Sequence, residues 1–334
     1  MFVPQKVVFE EKALKFSLGE ELFNNFKKQG IEIEVNKTGR VNGSKDDAVK
    51  KFFDSKRTLV IGVKGNAKFL SCKPSAHYQL PLVSGCMGMC EYCYLNTQLG
   101  KRPYVKVYVD IDNILDRAFE YANERLPQIT IFEGSATSDP IPVEGYTHGL
   151  SKAIEVFGEN EHTRFRFVSK YSEVDPFIGL NHNNHTEIRF SINSQEIIKK
   201  YEHGTDSAEK RIEAAKKVKQ DGYKIGFLIA PVFIYEGWKE DYNKLLDKVQ
   251  KEFQGEEITF EVITHRFTER AKNNILTIYK DSSLPMKEED RKFKYGQFGY
   301  GKYIYKDEDM KEIKEFFTER LSRDFGEKSI LYIV

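Results

Sequence analysis

The chain has 334 residues, enough for one large domain with additions or two modest ones. Hydrophobic content of 40% and charged content of 31% suit a soluble globular protein and argue against a disordered or membrane-spanning one. A net charge of +1 excludes nucleic-acid binding by overall charge, so any such contact needs a local basic patch.

The opening residues, "MFVPQKVVFEEKALKF", lack a basic-then-apolar signal pattern, and a cytoplasmic location is expected. A helix is expected from Ser17. Ser17 and Glu20 have capping-box spacing, Leu18, Leu22, Phe23 and Phe26 form an apolar stripe, and Gly30 is a stop. Val35 to Asp47 is polar with two glycines and reads as a surface loop. "TLVIGV", from Thr58, is the first convincing strand.

Next comes "SGCMGMCEYCYLNT", Ser84 to Thr97, which holds three of the four cysteines. Four cysteines in so long a chain argue against a disulfide framework, and their clustering argues for a metal or a metal cluster. Cys86, Cys90 and Cys93 are spaced C-x3-C-x2-C. Thiolates are soft ligands suited to zinc or iron–sulfur clusters. Structural zinc takes four protein ligands, usually in two separated pairs. Three thiolates on one loop can instead hold three irons of a cubane and leave the fourth open to a small molecule. The alternative is zinc, with Cys72 or His77 as fourth ligand.

Strands are then expected near Val105 ("VKVYVDI") and from Ile129, Arg164, Glu187, Lys224 and Ile258. Helical patterns such as "NILDRAFEYANERL" and "SAEKRIEAAKKVKQDG" lie between them, the second ending at Gly222. This alternation predicts parallel βαβ units. About six such units fit a barrel or open barrel better than a dinucleotide-binding sheet, because no Gly-rich turn follows the first strand. Arg291 to Lys306, "RKFKYGQFGYGKYIYK", has five basic residues, no acidic ones and six aromatics among glycines. It reads as a hairpin or exposed loop. A last helix, "DMKEIKEFFTERLSRDFG", leads to an apolar tail, "SILYIV".

The cysteine spacing at the start of a βα barrel resembles the radical S-adenosylmethionine (SAM) superfamily. "GCMGMCEYCYLNTQLGKRPY", "FEGSATSDP", "RFSINS", "GFLIAPVFIYEGW" and "GQFGYGKYIY", in that order, resemble the spore photoproduct lyase family over nearly the whole chain. The resemblance implies an α/β fold: an N-terminal extension in residues 1–80, a partial (β/α)6 TIM-type barrel in 81–275, and a C-terminal segment with a DNA-contacting hairpin in 276–334. It implies a [4Fe–4S] cluster on Cys86, Cys90 and Cys93, and SAM held near Ser138, Lys170, Ser191 and the backbone of Ala230, with Glu133 and Gly134 near its amino group. One electron from the cluster would cleave SAM to a 5′-deoxyadenosyl radical. That radical would take hydrogen from C6 of a methylene-bridged thymine dimer, and the bridge would break. Tyr92 and Tyr94 would relay a hydrogen or electron back. The implied partners are damaged DNA and a reductase such as flavodoxin or ferredoxin, in the spore core or germinating cell.

One position departs from the family. Ala136 stands where its best-known members carry the cysteine that returns hydrogen to the thymine radical, and a methyl group cannot do this. Either the chain is inactive or error-prone, or the donor has moved to Cys72, the only thiol outside the cluster. A lone cysteine is otherwise a small buried hydrophobe. In the hairpin, Tyr300 is expected at the tip, Lys302 keeps its charge, and Gln297 stands where relatives can carry arginine. Glu261, His265 and Arg266 are further candidates for the lesion pocket, although a lone histidine is usually a satisfied core residue. The rival functions are a radical SAM enzyme on another substrate and a zinc-stabilised nucleic-acid-binding protein.

Overall fold

The structure is a computed structural model and describes residues 2–41, 47–100, 102–295, 299 and 301–334. In chain order its strands are β1 Lys6–Glu10, β2 Glu32–Asn36, β3 Thr58–Gly62, β4 Ser71–Cys72, β5 Ala76–Gln79, β6 Val83–Ser84, β7 Val105–Tyr108, β8 Thr130–Glu133, β9 Thr163–Ser169, β10 Thr186–Ile192, β11 Lys224–Val232, β12 Thr259–Thr264, β13 Lys292–Tyr295, β14 Gly301–Ile304 and β15 Ile330–Ile333.

Among the described residues the strands form three sheets. The first has the order β2-β1-β3-β7-β6, the second β15-β12-β11-β10-β9-β8-β5-β4, and β13 pairs with β14 alone. In the second sheet every pairing from β5 to β15 is parallel, and the sheet curls into a half-barrel. β4 closes its edge antiparallel to β5. Helices cover the parallel strands, so β3 is buried along its whole length and reads as an unbroken apolar run.

The expected βα alternation holds, with one exchange. β7, near Val105, pairs with β3 and β6 in the first sheet and does not enter the barrel. The barrel edge is taken instead by β5, whose sequence AHYQ has too few apolar residues to show a strand period. The apolar tail becomes β15, paired with β12.

The helix over Ser17–Lys28 forms and buries Leu22 and Phe26, but its N-cap is Phe16 and no side chain caps it. Here packing of the apolar stripe, not a capping box, holds the helix. The helix over Ala208–Gln220 is capped as its sequence suggests: Ser207 accepts from the Lys210 amide, and Gly222 adopts φ +94°. No helix among the described residues is long and apolar enough to cross a membrane.

Candidate active site

The cysteine loop leaves β6 through Gly85. At φ +83°, a side chain there would also meet the Tyr104 carbonyl oxygen at 2.2 Å, so only glycine fits. Gly85 bridges Ser138, which brings the loop against the end of β8. The buried Lys56 ammonium donates to the Cys86 carbonyl at 2.9 Å, and the Asn96 amide donates to the Cys90 carbonyl at 3.1 Å. The Met89 and Glu91 amides donate to the carbonyls of His203 and Tyr201. Satisfied backbone groups therefore fix the loop, and of the three thiols Cys86 accepts the Gly88 amide at 3.2 Å.

Cys90 is buried, and Cys86 and Cys93 are half-buried. Burial pushes the free Cys86 thiol up to about 12, so a positive metal centre is needed to hold it as thiolate. Among the described residues no three His, Cys, Asp or Glu are grouped to hold one metal ion. His77, one of the two candidates for a fourth zinc ligand, accepts the Ile131 amide on Nδ1 at 2.9 Å and is engaged there. Three soft thiols on one loop are donors of the kind that suit an iron–sulfur cluster, and Cys86, Cys90 and Cys93 would be the residues to hold one.

The residues expected around SAM lie next to this loop. Lys170, just beyond β9, donates to Glu202 at 2.8 Å and to the Tyr92 hydroxyl at 3.1 Å, and reaches the Ala230 carbonyl at 3.5 Å. Ser191 donates to the same Ala230 carbonyl at 3.4 Å, and Ser138 to the Gly134 carbonyl at 3.4 Å. Glu133 is instead bound to Arg189 and Ser135.

Sequence reasoning missed three residues here. Glu202 is fully buried between Lys170 and Arg211, which approaches at 2.7 Å. Burial pushes its carboxyl up, but Lys170 and Arg211 outweigh that and hold it at about 2. Asp139 accepts from Ser169 at 2.6 Å and from the Lys170 amide at 2.8 Å. Its burial outweighs those bonds and raises it to about 6. Asp139 lies in "FEGSATSDP" but nothing in that stretch marks its role, Glu202 and Arg211 lie in no quoted motif, and Asp139 and Glu202 meet Ser169 and Lys170 at separations of 30 and 32 residues.

Both tyrosines have defined partners. The Tyr92 hydroxyl donates to Glu202. The Tyr94 hydroxyl donates to the carbonyl of Ala136 at 2.5 Å and lies within electrostatic reach of Cys93 and Cys72. Cys72 is half-buried in β4. The turn behind it is clamped at Ser75, whose hydroxyl donates to Glu133 at 3.1 Å and whose carbonyl accepts from Arg166 at 3.0 Å. Burial, reinforced by Glu133, raises the Cys72 thiol to about 11, so at neutral pH it is an S–H group.

The late barrel residues separate. Glu261 lies in a buried network, bound by Arg166 at 2.5 Å, by Arg189 at 2.9 Å and by the Tyr332 hydroxyl. It is an internal counter-ion, not a pocket wall. His265 is buried, stacks on Phe233 at 4.5 Å and faces Arg291 at 3.3 Å. Burial and then Arg291 lower it to about 3, so it is a neutral core residue. Arg266 is exposed. Lys302 stands opposite Lys294 in the β13–β14 hairpin, and burial followed by Arg266 and Lys294 lowers it. Gln297 and Tyr300 lie outside the described residues. Phe293 and Tyr295 are exposed on the hairpin, with ring centroids 5.3 Å apart.

Residues 2–334 match the family model described as spore photoproduct lyase. The chain is 52% identical over 332 residues to spore photoproduct lyase of Clostridium acetobutylicum, covering 99% of this chain and 98% of that one. It is 42% identical to that of Bacillus subtilis, with the same coverage. Among solved structures, a spore photoproduct lyase with bound AdoMet and dinucleoside spore photoproduct has a TM-score of 0.95 and 43% identity, over 100% of this chain and 99% of that one. That protein is a double mutant in which one cysteine is replaced by alanine and one serine by cysteine. A structure carrying a tyrosine-to-phenylalanine change has a TM-score of 0.95 and 42% identity. With matches along its full length, the chain belongs to the spore photoproduct lyase family.

Proposed function

We propose that this protein reverses spore photoproduct to two thymines in damaged DNA, using SAM and a [4Fe–4S] cluster held by Cys86, Cys90 and Cys93. The observation that carries this reading is a convergence. Ser138 bridges the start of the cysteine loop, Tyr92 touches Lys170, and Tyr94 touches Ala136. When bound, the cluster and SAM supply the one-electron chemistry that generates a carbon radical. The protein's own residues position and return hydrogen. Lys170, Ser138, Ser191 and the Ala230 backbone orient SAM. Asp139 and Glu202 fix Lys170 from two sides.

Cys72 is the hydrogen donor in this proposal. Its S–H bond breaks as a C–H bond forms on the thymine radical, and the sulfur is left with the unpaired electron. Tyr94, and then Tyr92, replace that hydrogen from their O–H bonds and pass the deficit back toward SAM. The double mutant among the solved relatives supports the assignment. Its new alanine and new cysteine are separated along the chain by as many residues as separate Cys72 from Ala136 here. The hairpin residues Tyr300, Lys302 and Lys294 hold the DNA, a flavodoxin- or ferredoxin-type reductase delivers the electron, and the protein works in the cytoplasm.

The test is anaerobic reconstitution, followed by product analysis on the dinucleoside lesion with wild type and Cys72→Ala. Wild type should be brown, cleave SAM and yield thymine, and the variant should divert most product away from intact thymine. Clean repair by Cys72→Ala would remove Cys72 from the reaction. A colourless protein with stoichiometric zinc would overturn the whole reading.

A further inference from the structure

The loop after β3 forms one wall of a cleft whose other wall includes Ser84, Ala136 and Thr137, and Lys64 and Lys68 line it. We propose that Lys64 and Lys68 bind a backbone phosphate of the DNA strand flanking the lesion, as an anchor separate from the basic hairpin. This inference rests on the functional reading above.

The loop is a built feature. The two carboxylate oxygens of Asp110 accept the Lys64 and Gly65 amides, each at 2.8 Å. Arg117 donates to the Gly65 and Ala67 carbonyls at 3.0 and 2.9 Å. Gly65 adopts φ +59° in the bend between them. These bonds fix the backbone from which both lysines project. Lys64 lies over the Tyr108 ring at 5.4 Å, as does Lys106.

The lysines differ in their partners. Lys106 has a carboxylate at hand, Glu10 at 3.8 Å. Among the described residues Lys64 and Lys68 have none within ion-pair distance. Burial lowers the Lys64 ammonium, and the positive Lys106 and Arg117 push it the same way. Asp110 opposes this in part, and a bound anion would favour the charged ammonium in the same way. Leu70, also on the cleft, is 63% exposed and gives an apolar face beside the cations.

Location identifies the anion. The cleft reaches Ala136, whose carbonyl holds Tyr94 beside the proposed hydrogen donor. A two-base lesion turned out of a duplex brings its flanking phosphodiesters to the rim of the pocket. Unpaired lysines on a fixed loop at that rim match such a phosphate. A dinucleoside lesion has no flanking phosphodiesters and would not use this anchor.

The experiment compares a lesion-bearing oligonucleotide with the dinucleoside lesion, using reconstituted wild-type enzyme and Lys64→Gln/Lys68→Gln. The double variant should bind the oligonucleotide about tenfold more weakly near 0.1 M salt, with its salt slope reduced by roughly 1 to 2. Its repair of the dinucleoside should match wild type. Charge reversal to Glu at both positions should weaken oligonucleotide binding further. Unchanged affinity and slope would overturn the phosphate assignment, and so would equal losses on both substrates. A wild-type enzyme that repairs neither substrate would overturn the functional reading instead, while the salt slope would still decide the cleft.

Discussion

The cations of the barrel rim and most of those at the hairpin differ in how they are neutralised. Lys170 and Arg211 meet one buried carboxylate, Glu202, at 2.8 and 2.7 Å. In the hairpin Lys292 meets Asp307 at 2.6 Å, but Lys294 is exposed and Lys302 half-buried, and among the described residues neither of these, nor the exposed Arg266 beside the hairpin, has a carboxylate within ion-pair distance. The rim is thus pre-organised: its charge is fixed before any ligand arrives, and geometry selects the ligand. The hairpin leaves its charge for the ligand to neutralise, which suits a polyanion bound with counterion release. Low salt sensitivity at the rim and high sensitivity at the hairpin should distinguish the two regions.

The largest expected effect breaks the rim. Glu202→Gln leaves Lys170 and Arg211 buried without their counter-ion, which costs about 3–5 kcal/mol for a buried pair. Chemical denaturation should show that loss, together with weaker SAM binding. A loss below roughly 1 kcal/mol would mean that the network does not hold the rim. Lys170→Met should cost less, about 1–3 kcal/mol, because Glu202 keeps Arg211. Its SAM affinity should fall at least tenfold, by an amount that changes little between low and high salt.

The same contrast explains what the sequence could reveal. The cysteine loop is legible because its three thiols lie within eight residues, whereas Lys170, Ser191 and Ala230 are marked by the family resemblance and by no local pattern. Glu202 is not legible: it follows the short Gln195–Tyr201 helix as an ordinary charged residue, and only the fold buries it. The β5–β7 exchange was hidden for a similar reason. VKVY has a clear strand period, but its neighbours are decided by β3, and AHYQ takes its strand form from pairing with β8. Glu261, in the middle of β12, and His265, just past its end, are engaged in buried contacts that only the fold reveals.

His265 gives an effect that is absent at neutral pH and has a defined pH sign. Its folded value of about 3 lies below its ordinary 6.5, so its neutral form is the one the fold accepts. The unfolded chain takes up the proton first as pH falls. Its contribution is therefore complete above pH 6.5 and is lost progressively toward pH 3, at up to about 1.4 kcal/mol per pH unit. Denaturation of His265→Gln from pH 7 to pH 4 should show a flatter decline than wild type. Parallel declines would place the acid sensitivity elsewhere.

The hairpin should respond least in stability. Lys294 and Lys302 are directly opposed like charges, so Lys294→Gln/Lys302→Gln removes a repulsion and should change stability by no more than about 0.5 kcal/mol, in the stabilising direction. Its binding should behave differently. Affinity for lesion-bearing DNA should fall about tenfold near 0.1 M salt, and the salt slope by roughly 1.5. SAM affinity should stay as it is, because the rim network does not include the hairpin. A stable variant with a reduced slope would separate the DNA-holding surface from the SAM-holding one. An unchanged slope would mean that the exposed cations of the hairpin are only solvated charge, and that DNA is gripped elsewhere.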